Sequence, residues 1–326
     1  MNMRLYFLVL IVSLAGLSAC NSDNVSDIPV TVEIDRFEQK LMAVKDKEEL
    51  TKLLKENEVY VKSLYRAFPE DTAFVSHIYG LVKHPETRKL YEQGQQVFGD
   101  LSELKVQFAA AFKHIKHYYP EFKEPRIMTT FTGLENDMFV SDTLIIVALE
   151  AFIGPKALYR PDQPDYILRR YSPEYLVPTI IRFLSNSYNK VSTSDQSFMA
   201  DMIFFGKSLE FTKTMMPDTP DSLIVGYPEK VLQDTWNAQD LIWAHLVEKN
   251  LLYTENVGVK EKYFGERPAV VEIGPECPGR VGQWLGWRIV KKYRTENTKA
   301  TFQELMANEN ALQIFNESKY RGQLED

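Results

Sequence analysis

Apolar and polar residues follow a pattern along the chain that predicts mostly helices, with strands near its start and middle. At positions 28, 30, 32 and 34, Ile and Val alternate with more polar residues, which is the period-two pattern of a strand. Helical spacing then dominates to about residue 119. Its clearest stripe consists of Leu104, Phe108, Ala111, Phe112, Ile115 and Tyr119.

The pattern changes near Arg126, where two further strands are predicted. Residues 127–132 are rich in β-branched and aromatic side chains, and residues 138–149 form a longer apolar run. We expect the second strand to run into a helical turn before Gly154 and Pro155, because these residue types interrupt regular structure.

Helices are predicted for the rest of the chain. The first begins at Pro173 with Ser172 as its N-cap, two residue types that favour these positions. The others cover about residues 197–216, 228–250, 280–294 and 301–316. Since no repeat, low-complexity tract or linker separates them, we predict one domain at residues 28–322. Its predicted fold class is α+β, mostly α, with a small central sheet.

The first residues resemble the leader of a bacterial lipoprotein. Arg4 precedes an apolar stretch at residues 5–17, which is shorter than the roughly 20 residues of a membrane span. A lipobox, Leu-Ser-Ala-Cys, ends the stretch at Cys20. We predict a signal peptide at residues 1–19, acylation of Cys20 and a polar tether at residues 20–27. An ordinary signal peptide that contains a cysteine by chance is the alternative.

Composition excludes some functions and leaves others open. The net charge is −7 with both signs mixed along the chain, whereas a nucleic-acid binder needs a basic face. If Cys20 is acylated, Cys277 is the only thiol left, so no internal disulfide is expected. We interpret Cys277 as a small buried hydrophobe rather than a nucleophile.

Motifs of common enzyme chemistry are missing from the sequence. It contains no glycine-rich phosphate loop and no Gly-x-Ser-x-Gly nucleophile turn. His114 and His117 have the spacing of two zinc ligands on a helix, but Lys113 and Lys116 beside them oppose a bound cation. We therefore predict no metal and no cofactor.

Residues 279–287 combine three glycines with two tryptophans. Gly282 and Gly286 lie one helical turn apart, which favours close backbone packing against another helix. A cation at a helix N-terminus opposes the helix dipole, so Arg280 is expected to have an acidic partner or an anionic ligand. The alternative hypothesis is that Arg280, Trp284 and Trp287 belong to a partner or ligand surface.

Several strings, taken in order, resemble the gliding motility lipoprotein GldB family. The strongest is residues 277–290 (CPGRVGQWLGWRIV). Weaker matches lie at residues 32–38, 206–207, 226–227, 242–243, 251–253 and 318–320. The resemblance implies a lipid-anchored, periplasm-facing protein of the cell envelope, required for gliding and connected with motility and secretion proteins.

The same resemblance implies a distant relation to zinc peptidases of the gluzincin type, hence a degenerate zincin-like fold. Such enzymes carry His-Glu-x-x-His on the helix that follows the sheet. Here that helix, residues 174–188, contains no histidine. We therefore expect a protein-binding domain without catalysis. A zinc peptidase with an atypical site and a ligand-capturing lipoprotein are the alternatives.

Gln239 is the last candidate for a residue of a functional pocket. It projects into the apolar stripe of the later helix, where an unpaired amide costs about 1–3 kcal/mol. Gln239 either lies in a closed pocket left by a former catalytic centre or is a mid-helix glutamine that a neighbouring loop satisfies.

Overall fold

The computed structural model describes residues 25–322. The predicted signal peptide and Cys20 lie outside these residues. At the end of the predicted tether, Val25–Asp27 forms one turn of 3₁₀ helix. Lys113 donates a hydrogen bond to the carbonyl of Ser26 at 2.6 Å, so this part of the chain is held against the folded domain.

Four short strands form one mixed sheet: β1 (Ile34–Arg36), β2 (Arg126–Thr130), β3 (Met138–Val140) and β4 (Leu144–Ala148). Their order is β1-β2-β4-β3; the first three in this order are parallel and β3 is antiparallel to β4. The prediction of one strand at residues 138–149 was wrong. A tight turn splits the run into β3 and β4, and Ser141 Oγ accepts a hydrogen bond from the amide of Leu144 at 3.0 Å.

The helices surround this sheet. They are α1 (Phe37–Ala43), α2 (Lys47–Glu56), α3 (Glu58–Tyr60), α4 (Thr72–Lys83), α5 (Pro85–Phe98), α6 (Ser102–Tyr118), α7 (Asp165–Leu168), α8 (Pro173–Leu184), α9 (Phe198–Met215), α10 (Asp221–Val225), α11 (Glu229–Asn237), α12 (Gln239–Glu248), α13 (Val257–Phe264), α14 (Val281–Glu296), α15 (Phe302–Ala307) and α16 (Ala311–Ser318). The mostly helical α+β prediction is confirmed.

Three predicted boundaries need correction. The strand predicted from residue 28 begins only at Ile34, although Val30 and Val32 still pack against the core. The single helix predicted over 228–250 is two helices, because Ala238 leaves the helical conformation. The last predicted helix is also two, and Asn310 caps the second by accepting from the amide of Gln313 at 2.9 Å.

The sheet separates two hydrophobic cores. Alternate side chains of β4 point to opposite faces, as the period of a strand requires. Ile145 and Val147 join the larger core, which includes α6, α8, α9 and α14, whereas Leu144 and Ile146 join the smaller core with α1 to α5. Burial on both faces explains why β4 is apolar throughout.

Two glycines bring α9 and α14 into backbone contact. A Cβ added at Gly206 would lie 2.3 Å from the carbonyl oxygen of Gly286, and one added at Gly286 would lie 1.9 Å from that of Met202. Gly282 leaves room for the ring of Phe264 in the same way. The sequence-based interpretation of close helix packing is confirmed.

We predict that Gly286→Ala destabilises the domain by about 3 kcal/mol, because the new methyl group must push the two backbones apart. Gly80→Ala is the matched control: its Cβ would meet nothing within 4 Å. Better helix propensity should make that variant neutral or up to about 1 kcal/mol more stable. Urea unfolding measures both, and equal free energies of unfolding would contradict the close contact.

Glu150 is a buried carboxyl group in the 3₁₀ turn Leu149–Phe152 that follows β4. Its Oε1 accepts hydrogen bonds from the amide and hydroxyl of Thr132 at 2.6 and 3.0 Å. Its Oε2 has no partner within residues 25–322. Burial raises the pKa of Glu150 to about 7. The folded state therefore holds a proton that the unfolded chain releases at lower pH.

This raised pKa predicts a loss of stability as the pH rises. The contribution of Glu150 to the free energy of unfolding is fully present below pH 4.5 and is lost as the pH rises through about 7. Between pH 5 and 8, wild type should lose on the order of 2 kcal/mol relative to Glu150→Gln, which does not titrate. Urea unfolding at both pH values measures the difference; parallel pH profiles would contradict the buried, proton-holding carboxyl.

Candidate anion-binding cavity

A cavity of about 360 Å³ lies between α8, α9 and α10 and the segment that leads into α14. Its apolar wall includes Phe183, Phe204, Phe205, Leu223 and Ile224. Its charged residues are Arg170, Arg182, Arg280 and Glu266. Three cations and one anion therefore face a single cavity in a protein whose net charge is −7.

Glu266 holds two of the three arginines. Its Oε1 lies 2.8 Å from Arg170 Nη2 and 3.4 Å from Arg280 Nε. Arg280 also donates to the backbone carbonyls of Val225 at 3.0 Å and Gly226 at 3.2 Å. These contacts fix both guanidinium groups and neutralise one positive charge.

Arg182 is the third arginine, and it has no carboxylate within ion-pairing distance among the described residues. Its Nη2 donates to Gln283 Oε1 at 2.5 Å. Gln283 Nε2 donates in turn to the carbonyl of Phe264 at 2.7 Å, which orients the amide so that its oxygen meets Arg182. Burial, reinforced by Arg280 and Arg170, lowers the pKa of Arg182 to about 9.

Arg280 has the surroundings that the sequence predicted for a cation at this helix end. It precedes α14 with φ of 63°, a left-handed conformation unusual for a residue with a side chain. Glu266 is the acidic partner of Arg280, and the Arg280 guanidinium lies 5.4 Å from the ring centre of Tyr227. The Tyr227 hydroxyl donates to the carbonyl of Gly279 at 2.7 Å, which fixes the turn before the helix.

The two tryptophans do not belong to a surface. Trp284 and Trp287 are 1% and 2% exposed, and neither lines the cavity. Trp287 Nε1 donates to Glu210 Oε2 at 2.7 Å, so its polar atom is satisfied inside the core. The partner-surface hypothesis for these tryptophans was wrong, because the residue types that anchor interfaces also fill cores.

Gln239 is fully buried, as its place in the apolar stripe predicted. Its Oε1 accepts from Arg288 Nε at 3.4 Å and from the Tyr320 hydroxyl at 3.3 Å. These contacts connect α12 to α14 and to the segment after α16. Gln239 does not line the arginine cavity, so the predicted pocket around Gln239 is not this cavity.

The residues of the cavity do not fit zinc, the metal that the zincin resemblance implies. Zinc sites use imidazole, thiolate or carboxylate ligands. From α8 the cavity receives Tyr175, Thr179, Arg182 and Phe183, and its one carboxylate, Glu266, is paired with arginines. Within residues 25–322 no group of three or more His, Cys, Asp and Glu side chains could hold a metal ion.

Of the four charged residues that line this cavity, the sequence singled out only Arg280. Arg170, Arg182 and Glu266 were not predicted as site residues. Arg182 and Gln283 are 101 residues apart in the chain. The available signal was weak: an arginine on a helix whose neighbouring positions are almost all apolar.

The fold and the cavity define a mostly helical α+β domain with a cationic, ligand-sized cleft. The family model described as gliding motility protein GldB matches residues 19–322, and the chain therefore belongs to this family. The family is one of gliding motility lipoproteins. No curated protein and no solved structure matches the chain. No helix within residues 25–322 has the length and hydropathy to cross a bilayer.

We predict that Arg280→Ala costs about 2–3 kcal/mol, since the buried carbonyls of Val225 and Gly226 lose charged donors. Arg280→Gly removes the same side chain but adopts a positive φ freely, and it should be about 1 kcal/mol more stable than Arg280→Ala. Chemical denaturation measures both differences. An Arg280→Ala variant as stable as wild type would show that these bonds do not hold the turn.

Proposed function

We propose that this chain is a non-catalytic, membrane-anchored lipoprotein that acts in gliding motility and the associated envelope secretion machinery by binding another protein. The composition of the cavity carries the proposal. Its charged side chains are three guanidinium groups and one carboxylate that is paired with two of them. Its other polar side chains are the amides of Asn186 and Gln283 and the hydroxyls of Tyr175, Thr179 and Ser208. These groups can hold a ligand, but no histidine lines the cavity to activate a hydroxyl and its carboxylate is engaged by arginines, so the lining offers neither an activated nucleophile nor a metal-bound water.

The only thiol of the domain supports the same conclusion. Cys277 is 8% exposed, and burial raises the pKa of its thiol to about 12. A thiol in this state stays protonated at neutral pH, whereas catalysis requires the thiolate. Cys277 therefore suits packing rather than chemistry.

The lipobox supports attachment to the membrane. Two or more acyl chains on Cys20 would hold the protein firmly at the bilayer, at about 0.8 kcal/mol per buried methylene. Confinement at the membrane raises the effective concentration of the domain near envelope partners. In this proposal the anchor is part of the function because binding depends on that proximity.

Two alternatives remain, and direct measurements separate them from the proposal. A zinc peptidase with an atypical site would carry near-stoichiometric zinc after purification, and metal analysis of the mature protein tests this. A ligand-capturing lipoprotein is favoured by the volume of the cavity, about 360 Å³. Such a protein would retain a small molecule, detectable by mass spectrometry after denaturation, and would crosslink to no envelope protein.

We predict that Cys20→Ser leaves the domain folded and abolishes gliding, because the acyl anchor is lost. Circular dichroism of the purified protein and colony spreading of the producing strain measure the two effects. Cys277→Ser is the matched control, with the same change at a buried thiol, and it should glide. In native membranes, crosslinking should join the wild type to an envelope protein and should fail for Cys20→Ser. A gliding Cys20→Ser strain would contradict the role of the anchor.

A further inference from the structure

We infer that the arginine cavity binds the carboxylate group of a peptide segment from the partner protein, with an apolar side chain of that segment against its aromatic wall. The inference rests on the proposed binding function and specifies what is bound. Arg182 carries the recognition of the carboxylate.

The distribution of charge selects an anion. Glu266 forms ion pairs with Arg170 and Arg280, whereas Arg182 has no carboxylate partner in the part of the chain that the structure describes. An arginine that is partly withdrawn from water without an anion is unfavourable. A bound carboxylate would supply the missing negative charge beside Arg182.

The geometry of the arginine selects a planar group with two oxygen atoms. A guanidinium has five N–H donors, and one nitrogen of Arg182 bonds to Gln283. The amide of Gln283 is itself fixed by the carbonyl of Phe264, so the guanidinium is held in place before a ligand arrives. The remaining donors can form the parallel pair of hydrogen bonds that arginine makes with carboxylates.

A carboxylate fits the available hydrogen-bond donors better than a phosphate. Phosphate groups carry up to two negative charges and are held by several cations at once. Here Arg170 and Arg280 already share Glu266, and Arg280 also holds two backbone carbonyls. Although the cavity keeps a net charge of +2, Arg182 is the one of its arginines without a carboxylate partner, and a single guanidinium offers the paired donors that one carboxylate needs.

The wall and the volume select a short peptide rather than a lipid. Phe183 is 50% exposed beside the cavity, and Phe204 and Phe205 are half-buried along it. An apolar side chain of the ligand would remove this aromatic surface from water. The volume of about 360 Å³ is near the lower end of the roughly 300–1,000 Å³ of ligand sites, so it holds a carboxylate and about one side chain.

The test uses N-acetyl-phenylalanine as the probe and its uncharged amide as the matched compound. Both are titrated by calorimetry into the mature lipoprotein purified in mild detergent. We expect saturable binding of the acid and at least tenfold weaker binding of the amide. Arg182→Gln should weaken binding of the acid at least tenfold. Arg126→Gln, which removes an exposed arginine from β2, should bind like wild type.

Other outcomes would overturn the inference. Equal affinity for acid and amide, or unchanged binding by a folded Arg182→Gln variant, would show that Arg182 does not recognise a carboxylate. Tighter binding of inorganic phosphate, or of phosphatidylglycerol vesicles over phosphatidylcholine vesicles, would point to a phosphate or a lipid instead. If Arg182→Gln does not fold, Arg182→Lys serves instead, because it keeps the positive charge but loses the planar pair of N–H donors. Its binding of the acid should weaken at least threefold.

The two proposals can fail separately. If the acid does not bind while the wild-type lipoprotein still crosslinks to an envelope protein, the carboxylate inference is wrong and the binding function stands. If the lipoprotein crosslinks to no envelope protein, the binding function itself is wrong.

Discussion

The backbone contact between α9 and α14 at Gly206 and Gly286 is the constraint on which the rest of the domain depends. Because no side chain separates the two helices there, their remaining side chains must interlock on both sides of the contact. Trp287 donates to Glu210 across it, and Arg294 pairs with the same carboxylate. The contact also positions the cavity, since α9 supplies Phe204 and Phe205 of its aromatic wall, while Gln283 of α14 and Arg280, just before that helix, supply polar groups.

The cavity is organised by backbone groups as much as by charges. The guanidinium of Arg280 donates to two carbonyls at the C-terminal end of α10, and Gln283 donates to the last carbonyl of α13. Three elements that are distant in sequence are thus joined at the first turn of α14. Because these contacts fix the polar groups, a ligand of the proposed kind would cost the site little conformational entropy, which is the physical basis of preorganised recognition.

Local patterns predicted the elements of this fold, but not how they meet. Period and capping signals located α6, α8 and α9, since these depend on neighbouring residues. The glycines of α14 predicted a close contact but could not identify Gly206 as its partner. Arg182 illustrates the same limit: its position on α8 was readable, whereas its burial depends on Gln283 and Phe205, which only the tertiary fold brings near it.

The relation to zinc peptidases stays a prediction, and the residues that α8 presents to the cavity differ from those of such an enzyme. In a zinc peptidase the helix after the sheet supplies two imidazoles, and the metal polarises a peptide carbonyl. Here the helix in that place supplies Thr179, Arg182 and Phe183. A guanidinium has no open coordination position and generates no hydroxide, but it pairs strongly with a carboxylate.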